Sequence, residues 1–199
     1  MTIAPEQITG LILAGGRGSR MGHVDKGLQT FRGAPMVLHA IMRLSPQVGT
    51  LMINANQNIG PYEGFGLPVW PDQLGGFEGP LAGLQTGLLH CETDYLVTSP
   101  CDSPFLPQDL VARLAAELEA QDAELAVAVT EEDGRRQAHP VFCLMKASVL
   151  PSLTAFLQAG ERKIDKWYRG LKFVEVHFPD DAAFRNINTL EELRRFEPV

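Results

Sequence analysis

Cysteine is scarce in this sequence, and Cys91, Cys101 and Cys143 have neither the paired spacing of a zinc knuckle nor the even count of a disulfide framework. Reduced thiols in a cytoplasmic protein are the expectation. Positive charge is also in the minority: 17 Lys and Arg against 24 Asp and Glu leave a formal charge of −7. Nucleic-acid backbones are held by concentrated Lys and Arg, so a nucleic-acid partner is not expected. A small polyanion must instead meet a local positive site. Long apolar runs are missing as well. Residues 8–14 make a short one, below the length of a signal core or of a ~20-residue membrane helix, and no basic segment precedes it. No membrane partner is expected, and internal repeats, low-complexity tracts and linkers are absent.

What the chain does have is an apolar fraction of 45% over 199 residues, enough for a substantial core. One domain over residues 1–199 is expected, with a nucleotide-binding half over about 1–107 and an acceptor-binding half over about 108–199. Residues 8–14 run into Gly15-Gly16 and read as a buried parallel strand feeding a loop. Pro35 opens a helical pattern, 48–53 and 67–70 read as strands, and 80–89 reads as a helix with Pro80 in its first turn. Strand-like 95–98 precedes a Pro-interrupted loop over 99–107. Then come a helix carrying Leu110, Val111, Leu114 and Leu118 and a β-rich run over 125–129. The final third is less regular, with strands at 141–145 and 172–177, a helix near 153–158 ending before Gly160, and a closing helix opened by the capping-box pair Thr189 and Glu192. Sustained βα alternation predicts an α/β, three-layer, Rossmann-like fold with a mostly parallel central sheet, binding its ligands at the C-terminal ends of the strands.

The segment 13–27 is the most informative. Aligning Gly16 and Gly18 with a dinucleotide fingerprint would require Gly at Met21. A Walker A loop would require Gly at Asp25 and Ser or Thr at Gly27. With both excluded, a strand leads into four glycines, Gly15, Gly16, Gly18 and Gly22, with Arg20 and Lys26 around them. Such a loop lets backbone N–H groups approach phosphate oxygens closely, because no Cβ intervenes. Arg20 can fork across two oxygens and Lys26 can act as a mobile point charge, both stabilising a departing pyrophosphate.

The pattern Leu-Ala-Gly-Gly, three residues, Arg-Met-Gly, three residues, Lys resembles the pyrophosphorylase-like signature, and within it the molybdenum cofactor guanylyltransferase family. Related cytidylyltransferases show Leu-Ala-Ala-Gly and a Lys-Leu pair, where this chain has Gly15-Gly16 and Asp25-Lys26-Gly27. The resemblance extends over essentially the whole chain and is strongest over 13–107. It implies a nucleotidyltransferase fold and nucleotide contacts from Leu13, Ala14, Gly15, Gly16, Lys26, Asn54, Asp72, Gly79, Pro80, Leu81 and Asp102.

Asn54 and Asn56 follow one strand and Asp72 follows the next, so all should reach the C-terminal rim of the sheet. Asp72 can accept from guanine N1–H and the exocyclic amine. Asp102, at the end of a strand and framed by Pro100 and Pro104, is the expected Mg²⁺ ligand, since this ion binds one or two carboxylates plus substrate phosphates. Cys101 beside it reads as a packing residue. The resemblance alone extends to Asn186 and Asn188, as metal-site support or acceptor contacts, and to His139-Pro140 and Arg162, the latter as a cation for a phosphate-bearing pterin.

The reaction implied is in-line attack by the terminal phosphate of Mo-molybdopterin on the α-phosphorus of GTP, releasing pyrophosphate, with Arg20, Lys26 and Asp102 as the catalytic groups. The resemblance also implies molybdoenzyme apoproteins and other cofactor-biosynthesis proteins as partners. Two readings compete. One is a molybdopterin cytidylyltransferase or a sugar-phosphate nucleotidyltransferase; the other is a non-catalytic nucleotide-binding module that delivers cofactor.

Overall fold

A computed structural model describes residues 3–16, 25–73, 79–187 and Glu192. Its centre is a seven-stranded sheet in the order β5-β4-β1-β6-β8-β7-β9. These strands are β1 (Ile8–Leu13), β4 (Thr50–Asn54), β5 (Val69–Trp70), β6 (Tyr95–Pro100), β7 (Leu125–Glu132), β8 (Arg135–Lys146) and β9 (Phe173–His177). A small antiparallel pair, β2 (Thr30–Phe31) and β3 (Ala34–Pro35), lies apart from it. The β1–β4, β1–β6, β4–β5 and β7–β9 pairs are parallel, whereas β8 runs antiparallel to both β6 and β7.

Strand alternation divides the core between the two faces of this sheet. On one face, Ile8 and Ile12 pack with Val37, Ala40 and Leu44 of α1 (Met36–Leu44), Tyr62 of α2 (Ile59–Glu63) and Leu110, Leu114 and Leu118 of α4 (Leu110–Ala120). On the other, Leu11, Leu96 and Val127 meet Leu81, Leu84 and Leu88 of α3 (Pro80–Leu89), Leu153 and Leu157 of α5 (Leu150–Gln158) and Trp167 and Tyr168 of α6 (Ile164–Tyr168). The result is three layers, helix on sheet on helix, as the alternation predicts. Among the described residues no helix is long and apolar enough to cross a membrane.

The helix ends follow local chemistry. Pro80 occupies the first turn of α3, where its missing N–H costs nothing. Gly160, at φ +81°, closes α5 with bonds from Gly160 N to Leu157 O and from Glu161 N to Phe156 O, a Schellman motif. The closing helix predicted at Thr189 lies outside the described residues. Two short helices, α2 and α6, have no counterpart in the sequence reading. Strands β7 and β8 also run well beyond the predicted 125–129 and 141–145. They are joined by Asp133-Gly134, both at positive φ, which is the geometry of a tight hairpin turn. The Asp-Gly pair was the available signal for that hairpin.

Leu114 is fully buried between α4 and the sheet. Leu114→Ala is expected to cost about 2–5 kcal/mol through lost burial and the cavity left behind. Urea denaturation checks this as a lower midpoint at unchanged slope.

Candidate active site

Parallel pairing sets the site. Leu13 lies opposite Asn54 on one side and Pro100 on the other, so β1, β4 and β6 release their chains into loops at one edge of the sheet. The register continues for one more residue: Ala14 N donates to Asn54 O at 2.8 Å and Cys101 N to Leu13 O at 3.0 Å. Gly15, Asn56, Asp72 and Asp102 are thus delivered to neighbouring loops.

One cluster forms beyond β4. Asn54 Nδ2 donates to Asp72 Oδ1 at 2.8 Å and to Trp70 O at 3.0 Å. Asn56 Nδ2 donates to Asp72 Oδ2 at 2.9 Å, and Asn56 Oδ1 accepts from Asp72 N at 2.8 Å. Two amides therefore lock the Asp72 carboxylate, and each oxygen keeps accepting capacity. Glycine is required around this lock for close approach. A Cβ at Gly15 would stand 2.8 Å from Asn56 Nδ2 and 3.0 Å from Asn54 Oδ1, and one at Gly83 of α3 would stand 2.5 Å from Asn54 Oδ1. Gly16 is different, since a Cβ there would meet nothing within 4 Å among the described residues. Gly79, at φ +82°, and Pro80 are exposed at the start of α3, while the Leu81 side chain is buried in the core, leaving its backbone as the part a ligand could reach.

A second cluster surrounds Asp102. Lys26 Nζ lies 3.3 Å from Asp102 Oδ2, joining the glycine-loop segment to the loop after β6. Only 8% of Asp102 is exposed. Burial pushes its carboxyl above the ordinary value, and the Lys26 ammonium opposes that shift. Cys101 is buried beside it, and burial followed by the Asp102 charge raises its thiol well above the usual range. It is a protonated packing group. The C-terminal segment closes on the same loop, with Ile187 N donating to Asp102 O at 2.9 Å and Ser103 Oγ to Asn186 Oδ1 at 2.5 Å. Among the described residues Asp102 is the buried carboxylate, and an ion held by one carboxylate would complete its shell with water and substrate phosphate. Among the described residues no group of three or more His, Cys, Asp or Glu side chains could hold a metal by itself.

The remaining candidates lie elsewhere or out of view. Arg162 Nη1 donates to Leu157 O at 2.9 Å and to Glu161 O at 2.8 Å, at the C-terminal end of α5. His139 bonds Thr130 Oγ1 through Nε2 at 2.8 Å and stacks on Phe184, and burial lowers its pKa. Arg20 and Asn188 lie outside the described residues. Sequence reasoning missed Ser103, which bonds Asn186, and the ring of groups around Asp25. The Asp25-Lys26-Gly27 run marked the place but not the partners.

Comparison with known proteins bears on the family and the fold. Residues 10–174 match the family described as the MobA-like NTP transferase domain. A molybdenum cofactor guanylyltransferase from Bordetella petrii is 62% identical over 188 residues, covering 94% of this chain and 96% of its own. One from Cupriavidus necator is 61% identical over 196 residues, covering 98% of each chain. Among solved structures, molybdopterin-guanine dinucleotide biosynthesis protein A from Archaeoglobus fulgidus superposes with a TM-score of 0.72 at 20% identity, over 95% of this chain and 96% of that one. A CMP:2-keto-3-deoxy-manno-octonic acid synthetase complexed with CTP gives 0.79 at 13% identity, over 96% of both chains. The structural likenesses establish the nucleotidyltransferase fold, and the matched domain and close relatives establish the family: the chain belongs to the MobA-like NTP transferases.

Proposed function

We infer that this nucleotidyltransferase moves GMP from GTP to the phosphate of Mo-molybdopterin, forming the guanine dinucleotide cofactor and pyrophosphate. The observation that carries the chemistry is the Lys26–Asp102 pair, seated where β1 leads into the glycine loop and β6 into the Asp102 loop. The identity of the substrates is supported by relatives of about 60% identity that bear the guanylyltransferase name across nearly their whole length.

In this reading the amides of Gly15 and Gly16, with Leu13 and Ala14 leading into them, face the triphosphate, and Arg20 and Lys26 neutralise the leaving pyrophosphate. Asp102 would hold Mg²⁺, which supplies electrophilic activation of the α-phosphate when bound. The acceptor phosphate is already ionised at neutral pH, so no side chain has to remove a proton from it. Catalysis then consists of holding two polyanions together in line. Asp72, fixed by Asn54 and Asn56, accepts from guanine N1–H and N2–H₂ beside Gly79, Pro80 and Leu81. Alanine at position 15, as in the cytidylyltransferase pattern, would press into Asn54 and Asn56, so the amides that hold Asp72 are packed here against glycine. Asn186, Asn188 and Arg162 are assigned to the acceptor side. We further assign residues 1–107 to the nucleotide and 108–199 to the acceptor within one domain. The free thiols of Cys91, Cys101 and Cys143 suit a cytoplasmic enzyme. Transfer of the product to molybdoenzyme apoproteins or other cofactor-biosynthesis proteins completes the reading.

Asp102→Asn keeps the shape and removes the charge. It should still bind GTP, yet release pyrophosphate about 10²-fold more slowly in a stopped assay with GTP, Mg²⁺ and molybdopterin. An unchanged rate and Mg²⁺ dependence would leave Asp102 a structural residue.

The same variant tests the cost of the buried charge. A carboxyl whose folded pKa is raised contributes stability that is complete below its unfolded value and lost as pH rises through the folded one. In metal-free buffer at pH 7, Asp102→Asn should therefore melt at or above the parent temperature, and the advantage should shrink as pH falls toward 4.

GTP should bind more tightly than ATP by about 1–3 kcal/mol, because adenine N1 turns a lone pair toward the Asp72 acceptor. Equal calorimetric affinities would remove Asp72 from base recognition. Gly16→Ala should fold normally but lose nucleotide affinity, because no described residue crowds its Cβ whereas a bound phosphate would. Parent affinity in a folded Gly16→Ala protein would place the triphosphate away from that residue.

A further inference from the structure

Asp25 precedes Lys26, and both of its carboxylate oxygens are engaged. Oδ1 accepts from the Gly27 amide at 3.1 Å and from Tyr62 Oη at 2.5 Å, and Oδ2 accepts from Asn58 Nδ2 at 3.0 Å. Its backbone oxygen accepts from Gln29 Nε2 at 3.2 Å. Three donors thus converge on one carboxylate, the Gly27 amide from two residues on and the other two from a loop and a helix far along the chain.

Those donors are themselves held. Tyr62 is fully buried, and burial raises its phenol far enough to keep it a proton donor. Asn58 sits in the left-handed region at φ +52°, which Asn tolerates better than most residues. Gly27 is packed so closely that a Cβ would overlap Tyr62 Oη and stand 3.2 Å from Cys101 Sγ. The Lys26 backbone is therefore pinned between the Tyr62 contact and the residue that precedes Asp102.

A carboxylate near a triphosphate site repels the substrate, so its presence calls for a geometry that a neutral side chain supplies less well. An amide has one accepting oxygen, and its nitrogen would face the Asn58 Nδ2 donor unless that amide turned over. We propose that Asp25, Asn58 and Tyr62 form a positioning clamp that fixes the Lys26 backbone, so that its ammonium stands over Asp102 before the nucleotide arrives. Lysine has a long, mobile stem whose freedom opposes any fixed contact. Fixing it on folding leaves less to be ordered in the transition state. The clamp rests on the reading of Lys26 as the pyrophosphate-facing cation.

The test compares Asp25→Asn, Lys26→Ala, the two combined, and Asp25→Asn combined with Asn58→Asp. Pyrophosphate release gives kcat and the KM for GTP, and thermal melting gives stability. Asp25→Asn should lower kcat about tenfold through misplacement of the lysine, while the melting temperature stays near that of the parent. Adding Asn58→Asp restores a donor facing an acceptor at the same total charge, and kcat should recover to within about threefold of the parent. Adding Lys26→Ala to Asp25→Asn should slow the enzyme no further than Lys26→Ala alone. If Lys26→Ala turns over at the parent rate, the cation reading fails and the clamp with it. If Lys26→Ala is slow but Asp25→Asn keeps the parent kcat, or its loss multiplies with that of Lys26→Ala, the clamp is overturned and the cation reading stands. A loss not restored by Asn58→Asp also overturns it. Should Asp25→Asn fail to fold, Tyr62→Phe takes its place: a lower kcat at parent melting temperature supports the clamp, and parent kcat overturns it.

Discussion

A buried carboxylate at the end of a parallel strand is the constraint around which this protein is arranged. Asp102 is almost wholly covered, and withdrawing its charge from water is costly unless a cation stands near. Lys26 supplies that cation at 3.3 Å, from a segment 76 residues earlier in the chain. The β1–β6 pairing brings the two segments together, because Leu13 and Pro100 end their strands side by side. The central sheet can be read as the device that makes this contact affordable.

The two clusters at the sheet edge differ in chemistry. Around Asp72 the partners are neutral amides, which orient a carboxylate and leave its charge in place, as the proposed contact to a base requires. Around Asp102 the partner is an ammonium, which compensates charge and suits a site where charge moves during reaction. Glycine separates them: Gly15 lets the Asn54–Asn56 amides approach, and Gly27 lets Tyr62 and Cys101 close on the lysine segment. Side chains at either position would force apart groups whose value lies in their spacing.

The second half of the chain contributes by closure. Strand β8 enters antiparallel beside β6, and the C-terminal segment returns to bond Asp102 and Ser103 through Ile187 and Asn186. An acceptor meeting the nucleotide at Asp102 would therefore touch both halves. Arg162, by contrast, is engaged at the end of α5, so a role with the acceptor requires it to reach out from that helix terminus.

What the sequence determined by itself was local. A short apolar run ending in Gly15-Gly16 placed β1, and Pro80 with its apolar run placed α3 at the bounds the structure has. Gly160 marked the end of α5, and the glycine loop excluded two common nucleotide motifs. These features are decided by a few neighbouring residues, so a single chain suffices to read them. The tertiary structure decided what depends on distant segments. Examples are the antiparallel course of β8, the lock of Asn54 and Asn56 on Asp72, the bond between Ser103 and Asn186 across 83 residues, and that between Tyr62 and Asp25 across 37. A carboxylate in sequence carries no mark of which donors will converge on it. That is settled by strand order and by the depth at which each side chain is buried.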